Sequence, residues 1–209
     1  MRLKDFVVDH GEPYSSLLGI RLKSGRSEDI VKWFLAAILY SKPIKESSAT
    51  RTYRCFEKHG VTTAKRIVAV GWDRLVGILD EGGYTRYDFS TADRLLQVFG
   101  NLEKAYGGDL NKLYDASRDS TELEANLRRL GKGIGNTTVS IFLRDMRYIW
   151  RKAEPKPTPL VLMALKQLRI TDLKKYATKH RIDLVRLETA CVKYSKDFLK
   201  KGKRIIVVP

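Results

Sequence analysis

The sequence has few residues of the kinds that form disulfides, metal sites and membrane spans. It contains two cysteines and three histidines among 209 residues. Cys55 and Cys191 each lie in an apparent helix beside apolar neighbours, which favours buried free thiols over a disulfide or a metal pair. The histidines are scattered without ligand spacing, and no apolar run approaches the roughly 18–20 residues of a transmembrane helix. A disulfide-stabilised fold, a metal centre and a membrane span are therefore not expected.

A secretory signal is also missing. The opening residues, MRLKDFVVDHGEPYSS, carry charges but no long apolar run behind them, so they do not have the pattern of a signal peptide. We therefore expect a soluble protein that is not secreted and that resides in the cytoplasm, in association with the nucleoid, or in the nucleus.

Acidic residues are scarce relative to basic ones. The chain has 40 Lys and Arg against 24 Asp and Glu, which gives a net charge of +16. Residues 160–209 alone hold 13 basic and 4 acidic side chains. An excess of this size favours a polyanionic partner, with nucleic acid first and an anionic membrane surface second.

Strand patterns are missing as well. Apart from the tail RIIVV, which fits either a strand or a frayed end, no segment alternates apolar and polar residues, and no repeat of fixed period occurs. Helical periodicity is found instead, so the chain is predicted to be all-α. A length of 209 residues with 43% hydrophobic content supports one domain or a closely packed pair.

One predicted helix is apolar almost all round. The segment IVKWFLAAILY follows Ser27, Glu28 and Asp29, which are typical of a helix start, and it is therefore predicted to be a buried central helix. Further helices are predicted over 46–58, 63–70, 72–79, a long stretch ending at Gly107, 136–150, 159–168, 171–179 and 183–200.

The stretch LGKGIGNTTVSIFL places three glycines within five residues, between two helical patterns. Thr121 and Glu124 have the spacing of a capping box, which starts a helix through Leu130. Gly133 and Gly135 leave backbone N–H groups uncovered at the start of the following helix, where the helix dipole favours an anion. The pattern fits a compact turn between two helices, but together with the charge it favours a phosphate-binding hairpin within residues 121–150.

Several residues of this hairpin and of the helix after it are predicted to contact DNA phosphates without sequence preference. They are Lys132, Gly133, Gly135, Asn136, Thr138, Arg144, Arg147 and Arg151. Asp145, between two arginines, is interpreted as a surface ion-pair partner.

The order of these features resembles the helix-hairpin-helix DNA glycosylase superfamily of base excision repair, with its endonuclease III-like fold. The resemblance rests on WFLAAILYS, GGYTRYDFSTADRLLQVF, the hairpin LGKGIGNTTVSIFL and the loop AEPKPTPLVLMAL, and it covers roughly residues 28–198. It implies two helical subdomains with a cleft between them. Residues 1–27 are expected to pack on the C-terminal helices, 28–150 to form the domain with the hairpin, and 151–209 to complete the fold.

The resemblance also implies a function. It points to a monomer that binds double-stranded DNA, damaged or mismatched, and flips a base into a pocket lined by flat side chains. Tyr40, Lys42, Tyr84 and Tyr87 are the candidates for this pocket or for a wedge in the duplex, although each aromatic residue also fits a place in the core.

The chain departs from the family at the catalytic positions. The lysine that forms a Schiff base in bifunctional relatives is replaced by Thr137, whose hydroxyl cannot form an imine. The catalytic aspartate of the family falls near Glu154, whose carboxylate can stabilise a cationic sugar if its loop lies slightly further back. Glu154 also fits an ordinary solvated charge. The four cysteines of an iron–sulfur cluster are absent, so no cofactor is expected.

Three functions fit these observations. The first is a monofunctional DNA N-glycosylase in which Glu154 is the electrostatic catalyst and water is the nucleophile. The second is a non-catalytic helix-hairpin-helix module that only binds DNA. The third is a helical protein that binds RNA.

Overall fold

A computed structural model describes residues 1–202 and 207. The regular secondary structure of this part consists of helices without any strand, so the all-α prediction is confirmed. The tail RIIVV lies outside the described residues except for Val207. The α-helices are α1 (Leu3–His10), α2 (Tyr14–Leu17), α3 (Ser27–Tyr40), α4 (Glu46–Lys58), α5 (Ala64–Ala69), α6 (Trp72–Glu81), α7 (Asp88–Tyr106), α8 (Leu110–Asp115), α9 (Ser120–Arg129), α10 (Asn136–Met146), α11 (Pro159–Leu168), α12 (Leu173–His180) and α13 (Leu184–Lys193).

The chain divides into two compact units. Residues 20–155 form the central unit, and residues 1–19 and 156–209 form the terminal unit. The N-terminal segment 1–27 is thus shared between the two units. The expected cleft between two subdomains stays a prediction.

Helix α3 is the centre of the central unit. Its side chains from Ile30 to Leu39 are buried apart from Lys32, as the all-round apolar pattern predicts. It packs against α4 and α10. The Phe34 ring lies 4.9 Å from the Phe142 ring, and the Trp33 indole N–H donates to the Phe142 carbonyl at 3.0 Å. This buried hydrogen bond fixes the position of α10 on α3.

Helix α7 is the second organising element of the central unit. It runs for 19 residues and packs against both α5 and α6. Leu95, Val98, Phe99 and Leu102 are buried along one side at helical spacing. The opposite, polar side of α7 therefore remains available to the hairpin and to solvent.

The terminal unit is built around α1, α11 and α13. Phe6, Val161 and Leu187 are fully buried in its core, and Thr158 caps the start of α11. The chain continues from α13 into a π-helical turn, Tyr194–Leu199, rather than one helix over 183–200. Cys191 in this core and Cys55 in the central unit are buried free thiols, as predicted.

Two helix boundaries of the hairpin differ from the predicted ones. Helix α9 begins at Ser120 because the Asp119 carboxylate accepts the Glu122 N–H at 2.9 Å, so the predicted capping role of Thr121 and Glu124 is wrong. Asp119 offers a charged acceptor one residue before the helix, which is the stronger N-cap. Helix α10 ends at Met146 instead of continuing to residue 150.

An exposed charge network joins the end of α4 to α6. Lys58 Nζ donates to Glu81 Oε1 at 2.8 Å, and His59 Nε2 lies 2.6 Å from Glu81 Oε2. Arg74 donates to the other ring nitrogen of His59 at 3.0 Å. The hydrogen bonds from Lys58 and His59 lower the pKa of Glu81 from its ordinary 4.5 to about 2.

Glu81→Gln is expected to remove a pH-dependent part of the stability. A carboxylate whose pKa is lowered on folding stabilises the fold above its ordinary value, and this contribution is lost as the pH falls from 4.5 towards 2. Denaturant unfolding of wild type and variant should therefore differ at pH 6 and converge near pH 2. Glu28→Gln, which breaks an exposed pair with Arg26, is the control and should have little effect at either pH. A constant difference across the range would contradict this account.

Candidate nucleic-acid interface

The hairpin consists of α9, a loop of residues 130–135, and α10. Ile134 and Leu130 are buried, whereas Lys132, Gly133 and Gly135 are exposed. The loop thus fixes its position through two apolar side chains and presents its glycine backbone and one lysine outward.

At two of the three glycines, side chains of helix α7 come too close for a Cβ. A Cβ on Gly131 would lie 2.8 Å from the Val98 side chain, and one on Gly133 would lie 2.7 Å from Arg94 Cδ. Gly133 also has a φ of +96°, a conformation that other residues rarely adopt. Gly131 and Gly133 thus leave room for side chains of α7, while Gly133 remains exposed, and its predicted contact with a phosphate stays a prediction.

The third glycine is open. A Cβ on Gly135 would meet nothing within 4 Å, and Gly135 is the N-cap of α10 without any side-chain hydrogen bond. The first N–H groups of an α-helix have no intrahelical partner. Asn136 and Thr137, the first two residues of α10, are exposed. The positive end of α10 is therefore accessible, as the predicted anion site requires.

Two residues predicted to bind phosphate lie in the interior instead. Thr138 is 1% exposed, and its hydroxyl donates to the Gly133 carbonyl at 3.3 Å. Arg144 is 2% exposed and pairs with the fully buried Asp145 at 2.9 Å. Neither side chain reaches solvent, and the interpretation of Asp145 as a surface partner is wrong. Both predictions failed because these positions lie on the side of α10 that packs into the core.

The segment after α10 carries the remaining predicted residues. Arg151 is exposed, whereas Arg147 is half-buried and donates to the Pro155 carbonyl at 3.2 Å. The Ala153 N–H donates to the Trp150 carbonyl at 3.0 Å. Glu154 is exposed and lies between these two anchored positions. The backbone on both sides of Glu154 is therefore held by hydrogen bonds, and the residue itself is exposed.

One of the three predicted tyrosines, Tyr84, belongs to the core, and Tyr40 and Tyr87 are half-buried. Tyr84 is 1% exposed and donates to the Leu39 carbonyl at 2.9 Å. Tyr40 is half-buried with its hydroxyl 2.7 Å from Thr50 Oγ1, and burial raises the pKa of Tyr40 to about 12. Tyr87 is half-buried beside the Tyr84 ring. Tyr84 cannot present a flat face to a flipped base, which corrects its predicted role.

A basic depression lies where α7 meets the hairpin. It has a volume of about 520 Å³ and is lined by Ser90, Asp93, Arg94, Gln97, Lys132 and Gly133. The Lys132 N–H donates to Gln97 Oε1 at 2.9 Å, which fastens the loop to α7. Partial burial and the charge of Arg94 lower the pKa of Lys42. Arg94 and Lys132, far apart in sequence, line the same depression.

Sequence reasoning missed Arg94 and Gln97. Both lie on the polar side of α7, where a solvated surface is the ordinary interpretation. Arg94 and Gln97 precede Asn101 by two helical turns and one helical turn, so the sequence could have placed all three on one side of α7. That this side faces the hairpin is seen only in the folded chain, where the Asn101 amide donates to the Leu130 carbonyl.

Comparison with known proteins identifies no relative of this chain. No protein-family model, curated protein or solved structure matches the chain. Over residues 1–202 and 207, no group of His, Cys, Asp and Glu side chains could hold a metal ion. None of the helices in this described part is long and apolar enough to cross a membrane.

Gly133→Ala is expected to destabilise the protein by roughly 1–2 kcal/mol, because the left-handed backbone disfavours a Cβ and Arg94 must move. The measurement is the free energy of unfolding in denaturant. Gly77→Ala is the control, since Gly77 lies inside α6 with nothing within 4 Å of a Cβ and alanine there should stabilise by about 0.5–1 kcal/mol. Equal effects of the two variants would contradict the packing described for the hairpin.

Proposed function

We propose that this protein binds double-stranded DNA through the hairpin and acts in base excision repair as a monofunctional DNA N-glycosylase. The observation that carries the proposal is the exposed start of α10, which has no side-chain cap and lies next to a depression lined by Arg94 and Lys132. The net charge of +16 supports a polyanionic ligand.

The contact with DNA is proposed to be a backbone phosphate held by amides. The N–H groups at the start of α10 provide directed donors, and Lys132 adds a mobile charge at the loop tip. Asn136 and Thr137 are exposed next to these amides and can add hydrogen bonds. Such contacts position the protein on a duplex without reading its sequence.

Catalysis is proposed on the resemblance to the glycosylase superfamily. Glu154 would stabilise the cationic sugar that develops as the base departs, and water would complete the hydrolysis. The exposure of Glu154 and the hydrogen bonds of the neighbouring backbone support this role. With Thr137 at the position of the family lysine, the product should be an intact abasic strand.

The binding site is tested by Gly135→Asp. Aspartate is a better N-cap than glycine, so the free energy of unfolding should rise by a few tenths of a kcal/mol. Its carboxylate would occupy the same N–H groups and repel a phosphate. Duplex affinity, measured by fluorescence anisotropy, should fall on the order of 10-fold, and the slope of log K against log salt should decrease by about 0.9.

Thr63→Asp provides the matched control for this measurement. It places the same charge at the N-cap of α5, beside the far end of α7, where Ala64 lies near Gly108. Its effect on duplex affinity should be small. If both variants weaken binding equally, the hairpin is not the contact and net charge alone accounts for the affinity.

Catalysis is tested by base release from duplexes that each carry one uracil, thymine mismatch, oxidised purine, alkylated purine or oxidised pyrimidine. Wild type should produce alkali-sensitive sites on one of them without strand cleavage before alkali. Glu154→Gln should slow release on the order of 100-fold with duplex affinity unchanged. Glu28→Gln, another exposed carboxylate of the central unit, should behave as wild type.

The second candidate is a non-catalytic DNA-binding module. The observation that favours it is the interior position of Tyr84, which is 1% exposed and therefore cannot line a base pocket. Salt-sensitive duplex binding without base release from any of the substrates would establish this candidate in place of the enzyme.

A further inference from the structure

Two depressions lie along one side of helix α7, and we call the surface that contains both of them the groove. The depression at the hairpin is succeeded by a second one of about 380 Å³, lined by residues of α7 and of the end of α9. Arg94, Gln97, Asn101 and Lys104 recur at intervals of three or four residues, so they share one side of α7. From Ser90 to Ala105 this side extends for about 22 Å at 1.5 Å per residue.

The groove is basic. Four cationic side chains line it, and none of them forms an ion pair within residues 1–202 and 207. The acidic residue that lines it is Asp93, whose Oδ1 accepts the Trp72 indole N–H at 2.9 Å. The cations are Arg94, Lys104, Arg129 and Lys132.

An exposed aromatic pair lies at the hairpin end of the groove. Phe89 is 59% exposed and Trp72 is 37% exposed, with their ring centroids 5.3 Å apart. The Trp72–Asp93 hydrogen bond connects this pair to the lining of the groove. An exposed aromatic ring can stack on any unpaired base.

We infer that this surface of the central unit binds a single DNA strand, with unpaired bases stacked on Trp72 and Phe89 and phosphates beside the four cations. The inference extends the proposed DNA binding and rests on it for the choice of DNA. A positively charged groove that follows the backbone, with aromatic rings for successive bases, is the arrangement by which proteins bind unpaired strands. In a duplex the base faces are already stacked, so the rings favour the single strand.

The strand can be continuous with the duplex proposed at α10. Lys132 and Gly133 line the groove and also belong to the hairpin loop. A strand that leaves a duplex held at the start of α10 therefore enters the groove at Lys132. The occupant we propose is accordingly a duplex with an unpaired extension.

Tryptophan fluorescence reports this contact directly. Trp33 and Trp150 are 0% and 3% exposed, so a stacked base can reach Trp72 but not the other two. Titration of the full chain with a 12-nucleotide oligothymidine should quench the Trp72 emission and shift it. Phe89→Ala should lower the affinity on the order of 10-fold, and the double variant with Trp72→Ala should lower it further.

The cations are tested in parallel. Lys104→Ala and Arg129→Ala should each reduce the slope of log K against log salt for the oligothymidine by about 0.7. Arg118→Ala is the control because it removes one cation at the opposite end of α9, 84% exposed and paired with Glu122. Unfolding in denaturant checks that each variant is folded, and Phe89→Ala alone keeps the Trp72 hydrogen bond intact.

A blunt duplex and the same duplex with a 12-nucleotide overhang separate this inference from the proposed function. Tighter binding of the overhang duplex, lost in Phe89→Ala, supports the inference. Equal binding of both duplexes without quenching overturns it and leaves the proposed function standing. Binding and quenching by oligothymidine with no affinity for the blunt duplex supports the groove and overturns duplex binding. Tighter binding of oligouridine RNA than of oligothymidine overturns the assignment to DNA.

Discussion

The close approach of the hairpin loop to helix α7 is the constraint on which the candidate interface depends. Gly131 and Gly133 lack side chains where Val98 and Arg94 pass, and Gln97 accepts the Lys132 N–H. A side chain at Gly131 would collide with Val98, and one at Gly133 would displace the Arg94 side chain. The same approach creates the basic depression and aims the start of α10 outward, so local packing and binding geometry share one cause.

The central unit contains a buried pair of charged residues as well as cations at its surface. Arg144 and Asp145 form a buried pair, in which each charge compensates the other away from solvent. Tyr84 and Thr138 likewise use their hydroxyls inside the fold. The cations that line the two depressions beside α7 are Arg94, Lys104, Arg129 and Lys132. In the proposed function an anionic ligand meets the hairpin loop and this side of α7.

The two proposed DNA contacts use different chemistry. The start of α10 offers backbone amides and a dipole, which hold a phosphate of any sequence. The groove on α7 adds aromatic rings, which distinguish unpaired bases from paired ones. Glu154 lies on a third segment, whose backbone is fastened by Arg147. A repair enzyme needs to hold a duplex, tolerate its opening and stabilise a reacting sugar, and these three features supply one requirement each in the proposed function.

The sequence by itself determined the helical class, the buried helix α3, the free thiols and the position of the hairpin. These follow from local periodicity, glycine spacing and composition, which act over a few residues. Only the tertiary structure decided which hairpin residues face solvent. The orientation of α10 about its own axis places Thr138 and Arg144 in the core. The tertiary structure also decided the partners of the glycines and brought Trp72, Arg94 and Lys132 to one surface. Those contacts join helices distant in sequence, and local patterns carry no information about such pairings.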